Sequence, residues 1–143
     1  MAPRLSESRR QRRILIIDDE DDLRTLLCEH FEAAGYRVQT AADGNDGIAR
    51  ALSVPPDVVV LDLAMPRLDG WNTMKILRSY PMTRRIPIVA CTGLRGDDVA
   101  TRAFLDGCSG FLEKPFQARD VEHVVDELLS TDDPEETDKS DAG

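Results

Sequence analysis

Short apolar runs alternate with longer amphipathic segments along most of the chain. Five runs have the length of strands: 14–17, 36–40, 58–61, 86–91 and 110–112. The runs 14–17 and 58–61 are continuously apolar, which is typical of strands that are covered on both faces of a sheet. A segment with helical spacing of apolar residues follows each run. The pattern therefore predicts a strand followed by a helix, repeated five times along the chain.

Glycine and proline residues mark the ends of the predicted helices. Gly35 ends the first helix, the second covers 44–53, the third ends near Pro81, and Gly107 suits the C-cap of the fourth. Strict alternation predicts an α/β fold in which a doubly wound parallel sheet carries helices on both faces. We assume the strand order 2-1-3-4-5 for its five strands. The apolar positions that define the helices are Leu23, Leu26, Leu27, Phe31 and Ala34; Ile48, Ala49 and Leu52; Trp71, Met74 and Leu77; Val99, Ala100, Ala103 and Phe104; and Val121, Val124, Val125, Leu128 and Leu129.

Length and charge divide the chain into one folded block and two tails. The 143 residues correspond to a single domain, which we place at 13–130. Residues 1–12 are basic and 131–143 acidic, and both lack the apolar side chains that repay ordering, so we expect disordered tails. The net charge of −9 argues against direct binding of nucleic acid. The chain has no apolar run of membrane-spanning length or signal-peptide type, and its three cysteines fit a reducing compartment, so we expect a cytoplasmic protein.

Polar residues follow four of the predicted strands. Asp18 and Asp19 follow the first strand, Asp62 the third, Thr92 and Gly93 the fourth, and Lys114 the fifth. Ligands of open α/β sheets bind at the carboxyl ends of the strands, where the strand order reverses. Two carboxylates about 4 Å apart repel by roughly 4 kcal/mol at an effective dielectric of 20, so the aspartates need a cation. Either Lys114 or Mg²⁺ can supply it, and this set of groups suits phosphoryl transfer to a carboxylate.

Five segments with this order and spacing resemble one known family. They are Ile16-Ile17-Asp18-Asp19, 61–66 (Leu-Asp-Leu-Ala-Met-Pro), Asp69-Gly70, Thr92-Gly93 and 111–116 (Phe-Leu-Glu-Lys-Pro-Phe). Across 13–130 the chain resembles the receiver domain of bacterial two-component response regulators, the CheY-like family. The resemblance implies the flavodoxin/CheY-like fold, a cis peptide bond between Lys114 and Pro115, and Mg²⁺ or Mn²⁺ as cofactor.

The resemblance also implies a role for individual residues. Asp62 corresponds to the phosphoacceptor. The implied metal ligands are Asp62, Asp18, Asp19 and the backbone carbonyl of Ala64. Of the neighbouring acids Asp18 and Asp19, Asp19 is the main direct ligand. Thr92, Gly93 and Lys114 correspond to groups that bind the phosphoryl group, and Thr92 and Phe111 to the conformational switch. Ala64 has no side chain that could position water for dephosphorylation.

These roles imply a signalling protein rather than an enzyme. We expect a stand-alone response regulator that takes its phosphoryl group from a sensor histidine kinase or a phosphotransfer protein, because only the acidic tail follows residue 130. Its output would be a change in the surface of the fourth helix, fifth strand and fifth helix, which binds a downstream protein target. A monomer and a phosphorylation-dependent dimer both stay open.

Three alternative functions fit the sequence less well. An adaptor with the same fold that works without phosphate is the main alternative, although the complete residue set argues against it. A hydrolase similar to the haloacid dehalogenase phosphatases fits less well, because Glu20 stands where their motif has an aspartate. A flavin binder is disfavoured because the acids at 18–22 would repel its phosphate.

Overall fold

The computed structural model describes residues 12–94 and 96–131, which form five strands and five helices. The strands are β1 (Arg13–Ile17), β2 (Arg37–Ala41), β3 (Val58–Asp62), β4 (Ile88–Thr92) and β5 (Gly110–Glu113). The helices are α1 (Asp21–Ala33), α2 (Gly44–Ser53), α3 (Gly70–Ser79), α4 (Asp97–Asp106) and α5 (Ala118–Thr131). The predicted basic tail, apart from Arg12, and the predicted acidic tail, apart from Thr131, lie outside the described residues.

All five strands are parallel and lie in the order β2-β1-β3-β4-β5, as predicted. In the register, Ile17 pairs with Ala41 on one side and with Leu61 on the other. The carboxyl ends of β1 and β3 are therefore neighbours at the centre of the sheet. Since the connections after these strands run in opposite directions from this point, the edge carries the crevice in which ligands of such sheets bind.

Two apolar clusters cover the two faces of the sheet. Alternate residues of a strand point to opposite faces, which is why the apolar runs of β1 and β3 are continuous. Ile14 and Ile16 pack with α1 and α5, whereas Leu15 and Ile17 pack with α2, α3 and α4. Full burial on both sides fixes the strand register. It also leaves the strand ends as the place where polar groups collect.

Leu26 and Phe104, two residues of the predicted helical stripes, do not join the core. Leu26 is 50% exposed and Phe104 is 51% exposed, whereas their neighbours Leu27 and Ala103 are buried. Successive helix residues are about 100° apart around the axis, so only one residue of each pair can face the sheet. Leu26 and Phe104 therefore lie in the predicted helices but outside the core.

Arg78 in α3 joins three parts of the fold. Its Nε and Nη2 donate to the carbonyl oxygen of Gly107 at 3.0 and 2.6 Å, which satisfies the C-terminal end of α4. Its Nη1 donates to the carbonyls of Ile86 and Arg84 at 2.7 and 3.1 Å. The Ile86 amide donates to the Thr83 carbonyl in a turn, and Pro87 has no amide hydrogen, so β4 begins at Ile88 and is shorter than the apolar run 86–91 predicts. Gly107 has the positive φ of 125° that suits the predicted C-cap glycine.

None of the helices in the described ranges is long and apolar enough to cross a membrane.

Candidate functional site

Two buried carboxylates lie at the centre of the sheet edge. Asp62 is the last residue of β3 and Asp18 directly follows β1, and each is only 3% exposed. One oxygen of each is held by the backbone: Asp62 Oδ1 accepts from the Ala64 amide at 3.0 Å, and Asp18 Oδ1 accepts from the Glu20 amide at 2.8 Å. The second oxygen of each carboxylate remains for other partners.

Lys114, the residue after β5, supplies a cation to these carboxylates. Its Nζ lies 3.2 Å from Asp62 Oδ2 and 3.4 Å from Asp18 Oδ2. Its shortest contact, at 2.7 Å, is to Oε1 of Glu20. The Lys114 amide donates to the Thr92 carbonyl at 2.8 Å, which anchors the lysine to the end of β4, and the Lys114–Pro115 peptide bond is cis, as the resemblance implied.

The charges at this edge do not balance. Burial raises the pKa of Asp62 to about 6 and also raises the pKa of Asp18, and the bonds from the backbone and Lys114 offset this only in part. Burial lowers the pKa of Lys114, but its contacts with Glu20, Asp18 and Asp62 outweigh burial and raise that pKa overall. Three carboxylates share one ammonium group, so the ionised site carries an excess of negative charge.

This donor set fits a hard divalent cation. Asp18, Glu20 and Asp62 each offer a carboxylate oxygen, and these oxygens all lie within 4.8 Å of one another. Carboxylate oxygens that keep room for water are the ligands that Mg²⁺ and Mn²⁺ take in proteins. Asp19 is exposed and is not one of the three, so its role as the main direct ligand stays a prediction.

Sequence reasoning missed Glu20. Read as a sequence, it is one acid in a run of five, 18–22, with nothing to distinguish it. In the structure, the Glu20 amide donates to Asp18 Oδ1 and closes a short turn. This turn directs the chain back toward the site and brings Glu20 to Lys114. An aspartate can accept a hydrogen bond from the amide two residues later, and this tendency of Asp18 was the signal in the sequence that could have indicated the turn.

Thr92 and Gly93 lie at the end of β4, the neighbour of β3, and Phe111 lies one strand further away, in β5. Thr92 ends β4, one residue beyond the partner of Asp62 in the register, and its buried hydroxyl accepts from the Leu94 amide at 3.0 Å. A Cβ added at Gly93 would meet no atom within 4 Å, so the backbone there is open. Phe111 in β5 pairs with Ala90 and is only partly buried against the cluster formed with α2, α3 and α4.

The segment after Asp62 is fixed against it. The Leu63 amide donates to the Cys91 carbonyl at 2.9 Å, and the Gly70 amide donates to the Leu63 carbonyl at 3.1 Å. A Cβ at Gly70 would lie 2.1 Å from the carbonyl oxygen of Asp62, so only glycine allows α3 to begin this close. Asp69 caps α3 by accepting from the Asn72 amide at 2.8 Å. Ala64 is exposed within this segment.

Comparison with known proteins gives one consistent result. The family model described as "Response regulator receiver domain" matches residues 14–126. The regulator RpaA of Synechocystis sp., described as DNA-binding, is 37% identical over 121 residues, which are 85% of this chain and 50% of that protein. The response regulator PleD of Caulobacter vibrioides is 39% identical over 103 residues, covering 72% of this chain and 23% of that protein. The chain therefore spans half or less of the length of these relatives.

Solved structures agree with the sequence matches. The chemotaxis protein CheY4 of Vibrio cholerae has a TM-score of 0.77 and 28% identity, covering 81% of this chain and 97% of that one. The receiver domain of the Francisella response regulator 1452 has a TM-score of 0.81 and 25% identity, covering 86% of this chain and 100% of that one.

Proposed function

The chain belongs to the response regulator receiver domain family, and we propose that it accepts a phosphoryl group on Asp62 from a histidine kinase or a phosphotransfer protein. Receiver domains are signalling modules of two-component systems rather than enzymes with substrates of their own. The observation that carries the proposal is the pairing of Asp62, buried at the end of β3, with Lys114 Nζ at 3.2 Å beside a second buried carboxylate.

The proposed step forms an acyl phosphate. A carboxylate oxygen of Asp62 attacks the phosphorus of the donor, and a P–O bond forms as the P–N bond of a phosphohistidine breaks. The electron pair of the broken bond stays on the imidazole, which takes a proton from solvent. The attack needs the ionised carboxylate, and burial raises the pKa of Asp62 to about 6, closer to neutral pH than that of an exposed aspartate. Lys114 is placed to contact the phosphoryl oxygens, and positioning of this kind supplies most of the catalysis in phosphoryl transfer.

Asp18 and Asp62 would hold Mg²⁺ or Mn²⁺ at this site, together with Asp19 and the carbonyl of Ala64. The excess of negative charge of Asp18, Glu20 and Asp62 over Lys114 supports a cation at this edge. The bound ion supplies the charge neutralisation that lets an anionic donor approach two buried carboxylates.

The proposed response involves Thr92 and Phe111. Phosphorylation adds about −1.5 to −2 charge beside Thr92, whose hydroxyl can then donate to a phosphoryl oxygen. Moving the hydroxyl breaks its contact with the Leu94 amide and shifts the connection into α4. Phe111 has room to move because it is only partly buried. We propose that the surface of α4, β5 and α5 then binds a downstream protein in the cytoplasm. This proposal concerns the receiver domain only.

The test is intact-mass spectrometry after incubation with Mg²⁺ and acetyl phosphate. We expect one phosphoryl addition, lost in Asp62→Asn and lost when the divalent cation is chelated. Asp69→Asn is the matched control, since this acid caps α3 and lies outside the carboxylate group, and it should keep the addition. No addition to the wild type would favour an adaptor that works without phosphate.

A further inference from the structure

Lys114 is shared unequally among its three carboxylate partners. The distance from Nζ to Glu20 Oε1 is 2.7 Å, against 3.2 Å to Asp62 Oδ2 and 3.4 Å to Asp18 Oδ2. The Glu20 side chain is 59% exposed, whereas the other two carboxylates are buried. The ammonium group therefore lies closest to the partner that is outside the buried site.

The backbone around Glu20 favours this contact. Glu20 occupies the N-cap position of α1, where a side chain commonly accepts a hydrogen bond from the helix amides, but its carboxylate makes no such cap bond. Its amide is held by Asp18 Oδ1 at 2.8 Å, so its main chain is fixed next to the site. The carboxylate is directed to Lys114 instead of to the helix.

Both partners of this ion pair are accessible from solvent. Glu20 and Lys114 line a groove of about 490 Å³. Its walls also include Leu23, Pro115 and Phe116. The buried carboxylate of Asp62 does not line it. An anionic phosphodonor that approaches through this groove meets the negative charge of Glu20 and finds Lys114 already engaged.

We propose that Glu20 is a positioning residue that restrains Lys114 in the unphosphorylated protein and slows phosphorylation of Asp62. The inference rests on the proposed function and adds a form of regulation to the same site. Lys114 Nζ lies closer to Glu20 than to Asp62, so a closer contact with a phosphoryl group on Asp62 weakens the contact with Glu20. The Glu20 contact therefore stabilises the unphosphorylated state more than the transition state. An interaction that is lost on the way to the transition state raises the barrier.

The experiment compares phosphorylation of Asp62 by acetyl phosphate in wild type and Glu20→Gln at saturating Mg²⁺. An exposed ion pair has a modest value, so we expect the rate constant to rise about two- to fivefold, which is about 0.4–1 kcal/mol at 1.36 kcal/mol per tenfold. Glu20→Asp keeps the charge but shortens the side chain, and its rate should fall between the two. Asp22→Asn removes another exposed acid from the same groove and should change the rate less than 1.5-fold, by about 0.2 kcal/mol or less.

Two further measurements separate this role from others. Isothermal titration with Mg²⁺ should show that the ion still binds Glu20→Gln at the concentration used for the rates, because Asp18 and Asp62 remain to hold it even though a nearby carboxylate is lost. The ¹⁵N signal of the Lys114 ammonium should shift in Glu20→Gln, without any phosphodonor. A rate for Glu20→Gln equal to or below that of wild type at saturating Mg²⁺ overturns the proposal, as does a Glu20→Gln protein that no longer binds Mg²⁺, since Glu20 would then be a required metal ligand. If the wild type accepts no phosphoryl group, the proposed function fails, and an unchanged Lys114 signal would independently remove the restraint.

Discussion

Replacing Asp62 by asparagine should stabilise the protein, and by an amount that depends on pH. In the folded state the pKa of Asp62 is raised from 3.8 to about 6, chiefly by burial. The folded protein then holds a proton that the unfolded chain has already released, so the stability present below pH 4 is lost as pH rises through 6. An asparagine of the same shape has no proton to lose and avoids this loss.

The size of the effect follows from the two pKa values. Linkage gives a loss of roughly 1–2 kcal/mol at pH 5 and roughly 3 kcal/mol at pH 8, relative to the fully protonated state. Asp62 is 3% exposed, so solvent screening reduces this little. We therefore expect the advantage of Asp62→Asn in free energy of unfolding to grow by roughly 1–2 kcal/mol from pH 5 to pH 8.

Urea denaturation in the presence of a chelator at pH 5, 6, 7 and 8 measures this advantage. The exposed acid Glu29 provides a control, since Glu29→Gln removes a solvent-exposed carboxylate and should change the free energy of unfolding by less than about 0.5 kcal/mol at each of these pH values. Adding Mg²⁺ should stabilise wild type more than Asp62→Asn, because ligand binding to the native state adds RT ln(1 + [L]/Kd). An advantage that is constant across this pH range, or an Asp62→Asn protein that is less stable than wild type at pH 8, would refute the reasoning.

Three further predictions concern other parts of the molecule. Arg78→Met should lower the free energy of unfolding by about 2–4 kcal/mol, because it leaves the carbonyls of Gly107 and Ile86 without their donor. A loss of less than about 0.5 kcal/mol, measured by urea denaturation, would contradict this. Ala64→Asn should shorten the lifetime of phosphorylated Asp62, by about tenfold if water positioning lowers the barrier by about 1.4 kcal/mol, and an unchanged lifetime by mass spectrometry would remove that role. Thr92→Val should leave Asp62 open to phosphorylation but abolish the phosphorylation-dependent change in the NMR signals of Phe111, whereas a wild-type response in this variant would exclude Thr92 as the coupling residue.

The fold could be predicted because one pattern repeats along the whole chain. Continuous apolar runs such as 14–17, alternating with helices, are typical of a parallel sheet that is covered on both faces, and polar residues at the ends of its strands then meet at one edge. The pairing of Asp18, Asp62 and Lys114 at this edge follows from topology alone, without knowledge of side-chain conformations.

Features that depend on a single side chain could not be predicted in this way. The contact of Glu20 with Lys114 requires a turn that one oxygen of Asp18 holds. The spacing of apolar and polar residues does not indicate such a turn. The exposure of Leu26 and Phe104 depends on how far each helix is rotated over the sheet, and apolar spacing defines that rotation only to within about one residue, or 100°.

The bonds around Asp62 have a mechanical consequence. The main chain after Asp62 is held by the Leu63 amide bond to Cys91 and the Gly70 amide bond to Leu63, whereas the Thr92 hydroxyl accepts from the amide of an exposed residue, Leu94. A charge placed on Asp62 therefore meets a fixed main chain beside a hydroxyl that can exchange its partner. Under the proposed role of Thr92, displacement goes into the connection to α4, and the direction in which a signal leaves this domain is set before any partner binds.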